Sequence, residues 1–244
     1  MIKTSETEKK KLWRYMPLIS LLDFLQTGEL RFPRVNTFDD IQEGHVGLDA
    51  MFETIPPNLH HQAKAALERQ NAECFVSCWH LSASESLAMW KVYGTHNFSV
   101  ALVSNVGKVM FVCHEYCKDL SSTGMFGEVI YENYVTDGKL NVKTMGIPFG
   151  YSDLPIPTSV LTLFMKAKAF SYEQEWRLVI HNEKHNKPAL RVSVGSIEDF
   201  VGAIYISPEA PDWMVGSIQT LVSKQFNFPK INVSKSPLSR HFGI

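Results

Sequence analysis

The sequence predicts an α+β fold, a mixed or split β-sheet with flanking helices, in which strands cluster instead of alternating regularly with helices. The 244 residues are 45% hydrophobic and 20% charged, which is typical of a globular protein with a sizeable core. Neither GxGxxG nor GxxxxGK[ST] occurs, so the dinucleotide- and phosphate-binding signatures of doubly wound folds are missing. We expect a flexible leader over residues 1–11 and a single domain over residues 12–244.

The N-terminal region predicts a strand–helix–strand unit. Aromatic residues favour a strand over residues 12–16, and Pro17 ends it. A leucine-rich helix follows, with Ser20 as its predicted N-cap and Gly28 at its C-terminal end. A second short strand covers residues 30–32.

Hydrophobic spacing predicts the remaining elements. A loop over residues 38–44 carries the carboxylates of Asp39, Asp40 and Glu43. The predicted helices cover residues 58–71, 84–93, 158–168 and 211–224. The predicted strands cover residues 74–79, 98–103, 109–113, 128–134, 175–180, 189–194, 203–206 and 230–233.

Charge and hydropathy exclude several classes of protein. The 24 basic and 25 acidic residues nearly cancel, so there is no strong nucleic-acid signal. No apolar run reaches the length of a membrane span, and the N-terminus lacks the apolar core of a secretory signal. Four cysteines are too few for a disulfide scaffold, so we expect reduced thiols and a cytoplasmic protein.

The segment Glu173-Gln174-Glu175-Trp176-Arg177 carries the densest chemistry. Strand alternation predicts that Glu175 and Arg177 face a groove or solvent, while Trp176 faces the core. Two close carboxylates suit a site that bonds a sugar hydroxyl or stabilises an oxocarbenium-like transition state. The alternative is a surface salt bridge to Arg177, Lys166 or Lys168.

Other candidate residues are spread along the chain. Arg14 has the guanidinium that suits phosphate or carboxylate recognition, or it pairs with the acidic loop as an edge-strand arginine. Ser77 lies in an apolar strand, which favours a core hydroxyl, and no Gly-x-Ser-x-Gly elbow surrounds it that would indicate an activated nucleophile. Trp90 and Tyr93 form either core or an aromatic platform for a planar ring. The cysteine and histidine spacings do not fit a zinc site, so we predict no metal.

Six segments resemble a widespread bacterial domain of unknown function. They are Trp13-Arg14-Tyr15, Leu21 to Gly28, Phe38 to Glu43, Cys74 to Ser77, Met89-Trp90-Lys91-Val92-Tyr93 and Glu173 to Arg177. Their order also resembles the Arg–Ser–Glu branch of the ADP-ribosyltransferase superfamily, which implies an ADP-ribosyltransferase-like fold.

That resemblance implies a role for each candidate. Arg14 would hold a phosphate of NAD, and Ser77 would position the nicotinamide ribose. Glu175 would bond the 2′-hydroxyl, and Glu173 would orient the acceptor. The implied protein is an NAD-dependent transferase or glycohydrolase, such as a toxin or phage-defence effector, with NAD as substrate and an unknown acceptor macromolecule.

Two other functions stay open. The first is a non-catalytic ligand-binding or sensor module on the same fold. The second is a metal-dependent hydrolase or nuclease that uses the acidic loop together with Glu173 and Glu175.

Overall fold

The computed structural model describes residues 6–38, 55–94, 98–118, 122–132, 135–136, 139–140, 149–150 and 162–241. The chain forms two compact units, each assembled from separate stretches of sequence. Unit 1 consists of Met1–Leu30, Trp79–Val112 and Val192–Ile244, and unit 2 of Arg31–Cys78 and Cys113–Arg191. The predicted leader and single domain stay predictions. Residues 1–5 and the acidic loop from Asp39 to Glu43 lie outside the described residues.

Both strands and helices occur in each unit. The α-helices are α1 (Leu18–Thr27), α2 (His60–Glu73), α3 (Leu87–Tyr93), α4 (Val106–Lys118), α5 (Ile197–Phe200) and α6 (Asp212–Thr220). The strands are β1 (Lys11–Pro17), β2 (Glu29–Pro33), β3 (Cys74–Leu81), β4 (Ser99–Asn105), β5 (Thr123–Glu128), β6 (Ile130–Glu132), β7 (Val135–Thr136), β8 (Lys139–Leu140), β9 (Phe149–Gly150), β10 (Met165–Ala167), β11 (Glu175–His181), β12 (Ala189–Ser193), β13 (Ala203–Ile206) and β14 (Asn232–Lys235).

Unit 1 contains a mixed sheet in the order β14-β13-β4-β1, continued by the end of β3. Strands β13 and β14 are parallel, and the other pairs are antiparallel. Aromatic residues on one face of β1 pack with α3 and β4 in a core of Trp13, Tyr15, Met89, Trp90, Ala101 and Val103. The predicted mixed sheet with flanking helices is confirmed.

Unit 2 contains the start of β3 followed by β11, β5 and β9, with β11 and β5 antiparallel. Beside them β6 and β10 form a parallel pair. One face of β3 and β11 is covered by the segment that precedes β10. The core formed there consists of Val35, Cys74, Val76, Met125, Leu163, Phe164 and Val179.

The first helix confirms one predicted cap and corrects the other. Gly28 adopts φ 68 and donates its N–H to Phe24 O, which is the left-handed C-terminal cap that glycine favours. Ser20 is not the N-cap, because the helix already begins at Leu18. Pro17 takes that position with φ −61, so one residue both ends β1 and starts α1.

Two predicted elements are wrong. Residues 109–113 belong to helix α4, because Val109, Val112 and Cys113 recur at helical spacing on one buried face. Residues 162–168 are not α-helical. A 3₁₀ turn leads there into β10, whose backbone pairs with β6. The first part of that predicted helix, residues 158–161, lies outside the described residues.

Where the structure describes the chain, no helix combines the length and the apolar character needed to cross a membrane.

Candidate functional site

Strand β11 begins immediately after a sharp bend that separates Glu173 from Glu175. The bend is at Gln174, whose φ of 42 and ψ of 51 lie in the left-handed region. For a residue with a side chain this conformation costs about 1–2 kcal/mol, so neighbouring contacts must hold it. The Tyr131 hydroxyl accepts the backbone N–H of Glu175 at 2.7 Å. The two glutamates of the motif therefore have fixed and different positions.

The two glutamates are joined to two cations in a buried network. Arg177 donates from Nε to Glu175 Oε1 at 2.8 Å and from Nη2 to Oε2 at 2.9 Å. Its Nη1 donates to Leu163 O at 2.5 Å. Lys166 Nζ lies 2.6 Å from Glu173 Oε2 and 3.7 Å from Glu175 Oε2. The four charged side chains thus form a continuous chain of ion pairs.

Glu175 stays ionised although it is buried. Burial acts to raise the pKa of its carboxyl group. The charge and hydrogen bonds of Arg177, the charge of Lys166 and a hydrogen bond from the Cys78 thiol outweigh burial and hold the pKa below its ordinary value. Two carboxylates and two cations cancel in formal charge, which is what allows such a network inside a protein.

The predicted exposure of this motif is wrong. Glu175 is 7% and Arg177 1% exposed, so neither faces solvent. The reason is a second layer, since Leu163 and Phe164 cover this face of β11 while Trp176 is buried on the other. The salt bridge to Arg177, stated above as the alternative, does form, but it is buried and does not lie on the surface.

Cys78, not Ser77, lies against Glu175. The side chains of neighbouring strand residues point to opposite faces. The Cys78 thiol donates to the Glu175 carboxylate, and its side chain packs on the core that covers this face. Ser77 is fully buried and points to the other face of β3. Alternation along β3 could predict from the sequence that Ser77 and Cys78 face opposite sides. The sequence does not show which strand pairs with β3, and so does not show which of the two faces Glu175.

In unit 1, Arg14 and Trp90 lie on opposite faces of β1. The Arg14 guanidinium carbon is 5.6 Å from the centre of the Trp79 ring. The Trp90 ring is 5.0 Å from that of Tyr15, the next residue of the strand, and is 4% exposed. Tyr93 is 41% exposed at the end of α3. The predicted ligand contacts in unit 1 therefore do not share one face of the sheet.

Glu85 is a polar residue that the sequence analysis missed. Its Oε2 accepts hydrogen bonds from Trp90 Nε1 at 2.9 Å and from Ser236 Oγ at 2.5 Å. The Tyr15 hydroxyl accepts the backbone N–H of Ser86 at 2.8 Å, and burial raises the pKa of Tyr15. These contacts fix the start of α3. A lone glutamate ahead of a short helix carries no signal that would have revealed them.

A cavity of about 200 Å³ lies beside α3 in unit 1. It is smaller than the usual site for a drug-sized ligand and matches a single ring or a comparably small group. Its lining residues are Leu87, Trp90, Lys91, Gly94, Ser207, Pro208 and Glu209. Two of these lining residues, Lys91 and Glu209, form an ion pair.

A histidine and two glutamates meet at the other end of β11. Glu73 ends α2, His181 ends β11, and Glu183 lies in the turn that follows. One ligand-type atom from each lies within 4.8 Å of the others. Within the residues described for this chain, it is the group of side chains whose composition and spacing could hold a metal ion. No cysteine takes part in it.

Comparisons with known proteins give a partial family match. A profile described as "Protein of unknown function (DUF2971)" matches residues 89–178, somewhat more than a third of the chain. The match begins at the Met-Trp-x-x-Tyr helix and includes the Glu-x-Glu-Trp-Arg segment. A search of curated proteins finds no match.

Solved structures of Thermus sp. 2.9 DarT have a distant likeness to this chain. The complex with carba-NAD+ is 10% identical, with a TM-score of 0.41 over 96% of this chain and 98% of that one. The complex with NAD+ is 9% identical, with a TM-score of 0.40 over 96% and 97%. The complex with ADP-ribosylated ssDNA is 9% identical, with a TM-score of 0.41 over 93% and 94%. The family match agrees with the predicted resemblance to a domain of unknown function.

Proposed function

We propose that this chain is an NAD-consuming ADP-ribosyltransferase-like protein in which Glu175 is the catalytic carboxylate. One observation carries the proposal. Glu175 is kept ionised at the start of β11 and is fixed there by two hydrogen bonds from Arg177. A fixed negative charge is what a site needs when positive charge develops on a ribose ring.

In the proposed reaction the bond between nicotinamide and ribose C1′ breaks, and its electron pair leaves with nicotinamide. The ribose becomes cationic, and Glu175 would accept a hydrogen bond from its 2′-hydroxyl. The acceptor nucleophile, or water, would then bond to C1′ and release its proton to solvent. In the structure, the Cys78 thiol donates a hydrogen bond to the Glu175 carboxylate. Cys78 itself is half-buried. A ribose hydroxyl would replace the thiol there, while Arg177 keeps the carboxylate in place.

Glu173 has a different proposed role. Its carboxylate bonds Lys166 at 2.6 Å, while Lys166 is 3.7 Å from Glu175. Lys166 therefore pairs chiefly with Glu173, while Arg177 is the chief partner of Glu175. The left-handed Gln174 between them supports a functional site, because backbone strain of this kind concentrates at such sites. Glu173 would orient the acceptor.

The test is release of nicotinamide from NAD by the purified protein, with water, single-stranded DNA, RNA and cell protein as acceptors. We expect turnover in the wild type and a loss of about 100- to 1000-fold in Glu175→Gln, the cost of one transition-state interaction. Because Glu175→Gln also leaves Arg177 without its partner, a second variant is needed.

The double variant Glu175→Gln, Arg177→Met removes both charges of the buried pair. Replacing a whole buried pair is often neutral for stability, so this variant should fold as well as the wild type. If Glu175 is catalytic, the double variant is as stable as the wild type but still has no NAD turnover. Turnover that returns with the fold would reduce Glu175 to a structural residue and end the proposal.

The cavity beside α3 favours a second candidate, a module that binds a small ligand without chemistry. The cavity volume of about 200 Å³ fits a group of about one ring, and Trp90 is among the residues that line it. This candidate predicts ligand binding that Lys91→Ala weakens and Glu175→Gln leaves unchanged. Calorimetric titration of both variants with NAD and with nicotinamide separates the two candidates.

A further inference from the structure

We propose that Glu73, His181 and Glu183 form a binding site for a divalent transition-metal ion of the Zn²⁺ class. The three residues come from the end of α2, the end of β11 and the following turn. An imidazole with two carboxylates is a donor set for zinc and its neighbours in the first transition row, and not one preferred by magnesium or calcium.

The distances fit a metal of this size. Glu73 Oε2 and His181 Nε2 are 3.1 Å apart. Two ligand atoms bound to one tetrahedral zinc ion are separated by about 3.3 Å, since each bond is about 2.0–2.1 Å long. Glu183 is exposed, and one of its carboxylate oxygens lies within 4.8 Å of a ligand-type atom of Glu73 and of His181. A rotation of this one exposed side chain brings the third ligand into place.

The scaffold around the three ligands is already ordered. The backbone N–H of Asn182 donates to Glu73 O at 2.9 Å, which ties the end of α2 to the end of β11. The Asn182 side-chain oxygen accepts the N–H groups of Lys184 and His185, each at 3.1 Å. The turn that carries Glu183 is therefore closed by its own hydrogen bonds, so binding an ion requires little backbone rearrangement.

Arg69 supports this arrangement from the side. Its Nε donates to Glu73 Oε1 at 3.0 Å, which leaves Oε2 directed at His181. Carboxylate ligands in metal sites are themselves commonly held by hydrogen bonds of this kind. Three protein ligands leave further coordination positions for water, which is the arrangement of zinc sites that take part in chemistry.

This site is separate from the proposed catalytic carboxylate. Glu175 and His181 are six residues apart on β11, which corresponds to about 20 Å along a strand. Metal binding therefore neither requires nor predicts NAD turnover, and each proposal can fail alone.

The test uses Co²⁺ and Zn²⁺ titrations of the full chain after treatment with a chelator. We expect one ion per chain and visible cobalt bands without a thiolate-to-metal charge-transfer band. Glu183→Gln should weaken binding by at least about 10- to 100-fold, the loss seen even when outer contacts of a site are removed. His181→Asn should do the same. The control is Glu68→Gln. Glu68 is an exposed glutamate on α2, the helix that carries Glu73, and this variant should bind metal as the wild type does.

Because Glu183 is exposed, its variant is expected to fold, and its melting temperature without metal checks this. Equal affinity in the wild type and Glu183→Gln, a thiolate band, or no binding at all would each overturn the proposal.

Discussion

The two ends of β11 join an acid to a base at nearly the same distance but in opposite surroundings. At the start, Arg177 Nε is 2.8 Å from Glu175, with side-chain exposures of 1% and 7%. At the end, His181 Nε2 is 3.1 Å from Glu73, with exposures of 28% and 20%. Distance alone would rank the two pairs together. Burial distinguishes the two pairs, because it sets the free-energy cost of removing one partner and leaving the other charge unpaired.

The difference predicts where this strand is sensitive to change. A buried charge without its partner keeps the cost of lost hydration, whereas an exposed charge regains water. The start of β11 should therefore tolerate only paired changes. The end should tolerate single changes and be open to exogenous ligands.

The largest effect should come from the aromatic face at the buried end. Trp176 is 3% exposed and stacks on Phe126 with ring centres 5.9 Å apart. We expect Trp176→Ala to reduce the free energy of unfolding by about 3–5 kcal/mol, measured by urea denaturation. Trp213→Ala, at a position that is 64% exposed, is the control and should change it little. A loss below about 1 kcal/mol in Trp176→Ala would mean that Trp176 is not tightly packed at this end of β11.

Next should be Arg177→Met, which keeps an unbranched buried chain and removes the charge. The lone Glu175 carboxylate should cost about 3 kcal/mol of unfolding free energy. This is the low end of the range for broken buried pairs, because Lys166 remains 3.7 Å away. Adding Glu175→Gln should recover most of the loss. A double variant as unstable as the single one would show that packing, and not charge, is responsible.

The strand itself could be predicted from sequence, whereas its surroundings could not. Alternation from Glu175 to Ile180 identifies a strand and puts Trp176 in the core, and both predictions are confirmed. It also predicts a polar open face, which is wrong. The cover is supplied by Leu163 and Phe164, which come from the segment before β11 that was predicted as helix. No local pattern reports such a second layer.

The site shows the same limit. The sequence order singles out Glu173 and Glu175, and the structure gives both fixed partners. The sequence could not reveal that the Cys78 side chain contacts Glu175 while the Ser77 side chain points to the other face of β3. That contact depends on which strand lies beside β3. The group at the other end of β11 unites Glu73 with His181, residues 108 positions apart.

Acid should weaken the buried end in a predictable direction. The folded-state pKa of Glu175 is lowered, so its carboxylate contributes stability above its unfolded pKa of about 4.3. That contribution is lost as pH falls below this value towards the folded pKa, because the unfolded state takes up the proton first. Urea denaturation at about pH 5 and about pH 3 should therefore show a smaller loss in the double variant Glu175→Gln, Arg177→Met than in the wild type. Equal losses would mean that this carboxylate titrates alike in both states.

The smallest effect should come from the half-buried end, at its exposed arginine. Arg69→Ala removes the hydrogen bond to Glu73 Oε1, but the Arg69 side chain is 73% exposed and water replaces the contact. We expect no measurable change in unfolding free energy at about 0.15 M salt. Any loss seen at low ionic strength should vanish as salt is added, since exposed charges are screened over about 8 Å under physiological conditions. The loss in Arg177→Met should persist at the same salt, because a buried pair is screened much less. A loss in Arg69→Ala that survived added salt would show that the guanidinium packs as well as pairs, and the contrast between the two ends of β11 would then not rest on burial alone.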